Sequence, residues 1–401
     1  MTGLSKILVV GPSWVGDMVM AQSLYKLLRR RHDGAEIHVV APRWSLPILE
    51  RMPEVARAVE LSAGHGELAL GARFRLGRRL RREGYGRAIV LPRSLKSALV
   101  PFFASVPVRT GFRGEARYGL INDVRPFDPE RLDQTVKRFV ALGLEPGEAL
   151  PAEIEPPALE ARKESFSALA ARLGLSGERD GVAMMPGAEY GPAKQWPVER
   201  YADVAARLAA AGLEIWVLGS AKERPIGERI ASAAPASVRN LCGATTLDEA
   251  VDVLAAAPVA VTNDSGLMHV AAAVGTHVVA IFGSSSPDFT PPLTAARTIV
   301  RLGLDCSPCF ERRCPLKHLR CLRDISADAV FDAAVAALGG RGRTGPAGES
   351  APFGRTVGPL RGERPAGGGM IPGGGTTAGG GTTAGGEPAA GRGARAGDRR
   401  A

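Results

Sequence analysis

The chain has 401 residues, 45% of them hydrophobic, which is enough to build two domains with separate cores. No apolar run approaches the ~20 residues that a membrane-spanning helix needs, and residues 1–6 lead into an apolar strand rather than a signal peptide, so we expect a cytoplasmic protein. Four of the five cysteines fall within 306–321, unlike the dispersed framework of a disulfide-stapled secreted domain.

Strand-like and helix-like patterns alternate through the first half of the chain. Short β-branched apolar runs predict strands at 7–10, 37–41, 58–61 and 88–91, and helical periodicity predicts helices at 17–31 and 94–103. This alternation is typical of right-handed βαβ units around a parallel sheet. We predict a first Rossmann-like domain over residues 1–150, with a proline-rich, acidic linker at 145–158.

The second half repeats this architecture. The predicted strands lie at 182–185, 215–218, 238–241, 259–262 and 278–282, and the predicted helices at 198–211, 223–234, 247–257 and 326–338. The sequence therefore predicts an α/β fold with two doubly wound, Rossmann-like domains facing a cleft, the second over 151–340. Neither domain has a dinucleotide fingerprint, because residues 11–16 read G-x4-G, and residues 187–194 lack Walker A spacing.

The segment 341–401 has a different composition. It contains nine arginines against four acidic residues, which accounts for half of the net charge of +10, and it repeats the hexapeptide GGGTTA at 373–378 and 379–384. Almost no large apolar residue occurs there, so we expect a disordered tail. The remaining chain is only mildly basic, and the pI of about 9.7 is weak evidence for a nucleic-acid partner.

Three loops after predicted strands carry polar side chains, at the edge where open α/β sheets bind ligands. The first, GPSWVGD at 11–17, ends in Asp17, which either caps the following helix or takes a proton from a substrate hydroxyl. The second, PGAEYGPAKQWP at 186–197, has Lys194 as its one cation, either a solvated surface group or a partner for phosphate oxygens.

The third loop, NDSGLMH at 263–269, opens a helix whose first backbone N–H groups are free to bind an anion. Asp264 as a helix cap and His269 as a packed core histidine are the alternatives to a ligand-binding role. Three such loops at one edge of two sheets favour a ligand that contains phosphate.

The cysteines are spaced C-x2-C-x4-C-x6-C at Cys306, Cys309, Cys314 and Cys321. Four thiolates on one short loop fit a structural zinc or iron-sulfur site, although only the first pair has the usual knuckle spacing. Free buried thiols are the alternative.

Basic residues are concentrated in the first half, where they form either a solvated helix face or a surface that holds an acidic, membrane-anchored acceptor. They are Arg73, Arg75, Arg78, Arg79, Arg81, Arg82, Arg93, Lys96, Arg109, Arg113 and Arg117. Together with the cysteines they also raise the alternative of a metal-bearing nucleic-acid-binding protein. The two βαβ arrays favour an enzyme without a nucleic-acid partner.

Taken together, these loops resemble the ADP-heptose lipopolysaccharide heptosyltransferases of glycosyltransferase family 9. The resemblance covers roughly residues 4–338 and rests on four motifs in order: GPSWVGD at 11–17, PGAEYGPAKQWP at 186–197, LGSAKE at 218–223 and TNDSGLMH at 262–269. It does not extend into the tail.

The resemblance implies a GT-B fold in which the N-terminal domain binds the acceptor and the C-terminal domain binds ADP-heptose. It implies Asp17 as general base and Lys194 as the cation on the diphosphate, the two catalytic residues. The donor would be bound by Gly187, Ala188, Lys194, Glu223, Asp264, Ser265, Gly266, Leu267 and His269, and Ser13, Trp14 and Gly16 would lie on the acceptor side.

The implied reaction is an inverting transfer of L-glycero-D-manno-heptose onto the first heptose of the Kdo-lipid A inner core. No cofactor would be required for catalysis, and a metal at the cysteines would be structural. The protein would then work in the cytoplasm, at the cytoplasmic face of the inner membrane. The alternative within the family is a sibling enzyme with another acceptor, which adds the first or the third heptose.

Overall fold

Two parallel sheets of six strands each organise the chain. The computed structural model describes residues 4–64, 66–176 and 181–339, and the predicted disordered tail at 341–401 lies outside the described residues. Within the described part, no helix has the length and apolar character needed to cross a bilayer.

The first sheet has the strand order β3-β2-β1-β4-β5-β6. Its strands are β1 (Lys6–Val10), β2 (Glu36–Ala41), β3 (Val55–Glu60), β4 (Arg87–Val90), β5 (Val108–Phe112) and β6 (Asp123–Arg125). The helices of this half are α1 (Val15–Arg31), α2 (Leu46–Leu49), α3 (Leu70–Leu80), α4 (Leu99–Phe103) and α5 (Thr135–Ala141), and α6 (Lys163–Leu173) follows before the second sheet.

The second sheet has the order β12-β11-β10-β7-β8-β9. Its strands are β7 (Gly181–Met185), β8 (Glu214–Val217), β9 (Val238–Asn240), β10 (Val259–Asn263), β11 (His277–Ile281) and β12 (Arg297–Val300). The helices are α7 (Val198–Ala210), α8 (Arg224–Ala231), α9 (Leu247–Ala256), α10 (Gly266–Ala273), α11 (Arg320–Arg323) and α12 (Ala327–Gly339).

Both faces of the first sheet are covered, which explains why its central strand β1 is apolar without alternation at residues 7–10. Ile7 and Val9 of β1 pack in the core that contains α1, whereas Leu8 packs on the other face with Leu76 of α3 and Val100 of α4. Helix α1 also packs against α10 of the second half. The N-terminal ends of these two helices therefore meet between the sheets.

The predicted α/β class and all nine predicted strands are confirmed, with shifts of a few residues at their ends. The sequence patterns did not predict β5, β6, β12, α2, α3, α5, α6 or α11. The domain boundaries at 150 and 340 stay predictions, as does the linker at 145–158.

A buried arginine joins the two halves. Arg51, which follows α2 and is 1% exposed, donates two hydrogen bonds of 2.8 Å to the carboxylate of Asp252 on α9. Its Nε donates to Asp248 at 2.6 Å, and Nη1 donates to the Glu160 carbonyl at 3.0 Å. Every donor of the guanidinium that faces α9 is thus paired, which is the condition under which a buried ion pair is retained.

Removing one partner of this buried network should destabilise the fold strongly. We expect Arg51→Ala to lower the free energy of unfolding by about 3–5 kcal/mol, because it leaves Asp252 buried without its cation. Urea unfolding measures this change. The matched control is Arg172→Ala, because Arg172 is exposed and its partner Glu249 also lies on α9. This variant should cost less than about 1 kcal/mol. Equal losses in the two variants would contradict a special role for Arg51.

Candidate active site

Two of the three polar loops leave neighbouring strands of the second sheet. Strands β7 and β10 pair in parallel, with Met185 opposite Thr262, so both loops emerge at the same edge. The side chain of Asn263, which is fully buried, ties them together: its Oδ1 accepts from the Trp196 N–H at 3.1 Å, and its Nδ2 donates to the Pro186 carbonyl at 2.6 Å. A buried amide with both ends satisfied fixes the separation of the two loops.

Lys194 and Asp264 form an ion pair across these loops. Their Nζ and Oδ2 atoms are 2.5 Å apart, and the Asp264 side chain is only 5% exposed. Lys194 also lies 4.9 Å from the ring centroid of Tyr190, within cation–π range. The alternative that Lys194 is a solvated surface group is therefore wrong. The alternative that Asp264 caps a helix is also wrong, because the residue before α10 is Ser265.

Asp17 comes from the first half and lies close to this pair. It is the third residue of α1, whose N-terminal flanking residue is Trp14, so the alternative that Asp17 caps the helix is wrong. Loss of water around the carboxyl raises the pKa of Asp17 to about 6, opposed by the charge of Lys194 and assisted by that of Asp264. A carboxyl with a pKa near 6 is suited to proton transfer around neutral pH.

Two glycines let the halves approach closely at this point. A Cβ on Gly16 would lie 2.6 Å from Cδ2 of His269, and a Cβ on Gly266 would lie 3.2 Å from Cβ of Val15. Only residues without a side chain leave this space open. His269 is 5% exposed, and burial lowers its pKa to about 4, so it is neutral at physiological pH. The alternative of a packed histidine agrees with this position, which lies directly against α1.

The other predicted donor-side residues lie at the edge of the same loop. The carboxylate of Glu223 occupies the space where a side chain on Gly187 would be, and it accepts a hydrogen bond from the Ser220 N–H at 2.6 Å. Ala188 is buried, and Ser265 and Leu267 are half-buried beside Gly266 at the start of α10. The structure therefore brings the nine predicted donor residues to the ends of β7, β8 and β10.

On the predicted acceptor side, Ser13 is exposed and Trp14 is half-buried. The Trp44 indole N–H donates to the Ser13 carbonyl at 3.0 Å, which holds this loop against the segment after β2. Only Val15 separates Ser13 and Trp14 from Gly16 and Asp17 in the sequence. Their contact with an acceptor stays a prediction.

The four clustered cysteines are free thiols. Burial raises the pKa of Cys321 to about 11, with a further contribution from the other three thiols, whereas the Leu319 N–H lowers the pKa of Cys314. Within residues 4–64, 66–176 and 181–339, no three histidine, cysteine or acidic side chains are arranged to hold a metal ion. The predicted metal site is not confirmed.

Sequence reasoning missed two features of this region. The cysteine loop packs on the Lys194 loop, since the Tyr190 hydroxyl donates to the Phe310 carbonyl at 2.7 Å and the Ala193 N–H donates to the Arg312 carbonyl at 3.2 Å. The buried hydroxyls of Ser284 and Ser285, just after β11, have no hydrogen-bond partner in the described part of the chain. The run SSS after a strand was the available signal for the second feature.

Comparison with known proteins identifies the family of this chain. Residues 73–320 match the model of glycosyltransferase family 9 (heptosyltransferase). The chain belongs to glycosyltransferase family 9. As a member of this family, the protein is a glycosyltransferase, which favours the enzyme hypothesis over the nucleic-acid-binding alternative.

Relatives of this family 9 glycosyltransferase extend the match beyond the family model. Lipopolysaccharide heptosyltransferase 2 of Escherichia coli (strain K12) is 49% identical over 306 residues, which is 74% of this chain and 88% of the relative. Lipooligosaccharide heptosyltransferase 2 of Haemophilus influenzae is 46% identical over 308 residues, with the same coverage of 74% and 88%.

A solved structure also resembles this family 9 glycosyltransferase. The ADP-heptose lipopolysaccharide heptosyltransferase II of E. coli superposes with a TM-score of 0.76 at 44% identity, covering 84% of this chain and 99% of that chain. The predicted fold class, a GT-B arrangement of two Rossmann-like domains, is thereby confirmed.

Proposed function

We propose that this glycosyltransferase transfers L-glycero-D-manno-heptose from ADP-heptose onto the first heptose of the lipopolysaccharide inner core, with inversion at the anomeric carbon. The observation that carries the proposal is the convergence of Asp17, Lys194 and Asp264 where the two halves meet. The names of the two relatives at 49% and 46% identity support the substrate class.

On the acceptor side, Asp17 acts as the general base. Its carboxylate takes the proton of the acceptor hydroxyl while that oxygen forms a bond to the anomeric carbon of the donor heptose. The bond from that carbon to the β-phosphate oxygen breaks, and its electron pair leaves with ADP. Ser13, Trp14 and Gly16 line the approach, and the N-terminal domain, residues 1–150, holds the acceptor.

On the donor side, negative charge develops on the diphosphate. Lys194 and the backbone N–H groups at the start of α10, from Ser265 to Leu267, offset that charge. Asp264 stabilises positive character on the heptose ring and, without a donor, keeps Lys194 in place through their ion pair. The second domain, residues 151–340, therefore holds ADP-heptose.

The remaining donor residues shape the pocket. Gly187 and Ala188 let the donor approach the backbone, and Glu223 receives a hydroxyl of the nucleoside or the sugar. His269, neutral at physiological pH, contributes a hydrogen-bonding ring without a competing charge. The partnerless hydroxyls of Ser284 and Ser285 are further polar contacts for the donor at the adjacent strand end.

The acceptor distinguishes this function from that of a sibling enzyme. We expect one heptose to be added to Kdo-lipid A that already carries one heptose, and none to Kdo-lipid A without heptose. Mass spectrometry of the lipid product measures this directly. Transfer to the heptose-free acceptor alone would assign the enzyme to the step before, and transfer only to a longer core would assign it to a later step.

Catalysis on this proposal needs no cofactor, because Lys194 and α10 supply the positive charge at the diphosphate. Turnover should therefore survive treatment with EDTA. A loss of turnover that Mg²⁺ restores would contradict this part of the proposal.

The cysteine loop is proposed to hold a structural zinc ion or an iron-sulfur cluster. The short spacing of the four thiols and the backbone N–H groups near Cys314 support a site that closes around a metal. Elemental analysis should find one zinc, or the iron of one cluster, for each chain, and none in the double variant Cys306→Ser, Cys309→Ser. Purified protein that contains no metal and is fully stable would contradict the proposed metal site.

The proposed acceptor is attached to lipid A, so the enzyme would work at the cytoplasmic face of the inner membrane. Fractionation of cells should find part of the protein with the membranes, released by high salt. Protein confined to the soluble fraction at low salt would contradict a peripheral location.

A further inference from the structure

An exposed surface with both aromatic and basic side chains lies on α3 and α4, outside the proposed active site. Leu70, Phe74 and Arg78 are spaced by four residues, which places them on one face of α3, and Arg81 follows directly after the end of that helix. Phe102 of α4 adjoins them. The exposed fractions of Leu70, Phe74 and Phe102 are 51%, 48% and 43%, which is unusual for adjacent large apolar side chains. We call these five residues the α3–α4 patch.

A groove of about 430 Å3 runs through the α3–α4 patch. Its apolar wall is formed by Phe74, Phe102 and Phe103, which pack edge to face at centroid distances of 5.2 and 5.7 Å. Its basic wall is formed by Arg78, Arg81 and Arg109. An amphipathic molecule with a negative head and an apolar body matches these two walls.

The charge of this region is not compensated locally. Residues 70–82 contain six arginines and no acidic residue. Arg73 is buried and donates to the Leu68 carbonyl, but the other five are exposed, and none has an ion pair among the described residues. The next acid, Glu83, already pairs with Lys6 and Arg57.

Two exposed arginines elsewhere on the molecule, which serve as controls below, do have carboxylate partners. Arg30 pairs with Glu155, and Arg229 pairs with Glu199. The α3–α4 patch thus combines exposed aromatic rings with uncompensated arginines, the pattern of a helix that lies in the headgroup region of a bilayer.

We propose that the α3–α4 patch docks this enzyme onto the surface of an anionic phospholipid bilayer. The arginines contact lipid phosphates, and Phe74 and Phe102 reach the boundary between headgroups and acyl chains. The inference rests on the proposed function, whose acceptor is carried by a lipid. It adds the surface by which the enzyme would meet that lipid.

The patch lies on the opposite face of the first sheet from Asp17. Helix α3 covers the face to which Leu8 points, whereas α1, which carries Asp17, covers the face of Ile7 and Val9. Substitutions in the patch should therefore change membrane binding without changing the chemistry.

The test is co-sedimentation of the full chain with vesicles of phosphatidylcholine alone, or of phosphatidylcholine mixed with phosphatidylglycerol. We expect binding to the anionic vesicles only, weakened by NaCl. The variant Arg78→Gln, Arg81→Gln should bind about 30-fold more weakly, given the usual contribution of each basic residue. Phe74→Ala, Phe102→Ala should also bind more weakly, including at high salt.

The matched control for charge is Arg30→Gln, Arg229→Gln, which removes the same number of charges from exposed positions elsewhere and should bind nearly as well as the unmodified chain. Because all variants keep the arginine-rich segment 341–401, binding through that segment would leave them indistinguishable, which would overturn the proposal. Release by inorganic phosphate, but not by NaCl of equal ionic strength, would mean a phosphate pocket and overturn it as well.

A second readout separates this inference from the proposed function. Transfer to a water-soluble, deacylated acceptor that ends in heptose should be the same for the patch variants and the unmodified chain. If the unmodified chain transfers to that acceptor but does not bind anionic vesicles, the docking surface is wrong and the proposed function stands. If it binds vesicles but transfers nothing, the proposed function is wrong.

Discussion

Asp17→Asn is expected to lower kcat by about 10²–10⁴-fold, the usual contribution of a general base. The affinity for ADP-heptose should stay nearly unchanged, because the carboxylate acts on the acceptor hydroxyl. Steady-state kinetics with a lipid acceptor measures kcat, and calorimetric titration of the donor measures its affinity. A variant that retains full turnover would remove Asp17 from the mechanism.

The raised pKa of Asp17 also predicts how rate and stability depend on pH. The base must be ionised, so kcat/KM should fall as the pH drops below about 6. Its pKa in the folded state exceeds the ordinary 3.8, so the folded state binds the proton more tightly and the ionised carboxylate lowers stability above pH 6. Asp17→Asn should therefore have a higher Tm than the unmodified chain at pH 7, and this gain should shrink toward pH 3.8.

This stability measurement is also the control for folding. A higher Tm together with lost turnover would place the defect in the chemistry. A lower Tm at pH 7 would contradict the raised pKa and leave the kinetic loss without a mechanistic meaning.

Lys194→Ala is expected to lower kcat by about 10²–10³-fold and to weaken the binding of ADP-heptose. The same cation would contact the diphosphate in the ground state and in the transition state, so both parameters should change. In addition, the carboxylate of Asp264 would be left buried without its cation, which disturbs the loop that holds it. Donor titration and steady-state kinetics measure the two effects.

The matched control is Lys222→Ala. The Lys222 side chain is 83% exposed, and its Nζ lies 3.7 Å from the carboxylate of Glu189. The substitution therefore removes a nearby positive charge that has no role in the proposed reaction. Its kinetics should stay close to those of the unmodified chain. Equal losses in the two lysine variants would mean that general electrostatics, rather than a positioned cation, binds the diphosphate.

Strands and helices could be predicted where the pattern of apolar residues fits only one kind of secondary structure. The run ILVV at 7–10 is buried on both faces and could only be a strand of a covered sheet. Helix α3 was not predicted, because its buried residues Leu76 and Leu80 are outnumbered by arginines. The segment was therefore interpreted only as a run of positive charges. Strand β6 has three residues, Asp123–Arg125, too few for any periodicity.

The site was predictable as a set of loops but not as a set of contacts. Topology alone placed the loops at 186–197 and 263–269 at one sheet edge. The pairing of Lys194 with Asp264 joins residues 70 positions apart, and that of Arg51 with Asp252 joins residues 201 apart. The first pairing depends on the strand order within one sheet, and the second depends on how the two sheets pack together. Local propensities encode neither.

Heptose transfer with Asp17 as base is best tested by following ADP release and lipid mass in one reaction, with ADP-heptose and Kdo-lipid A that carries one heptose. We expect each ADP released to be matched by one heptose gained on the lipid, and Asp17→Asn to release almost none. ADP release without a heavier lipid, or no binding of ADP-heptose at all, would contradict it.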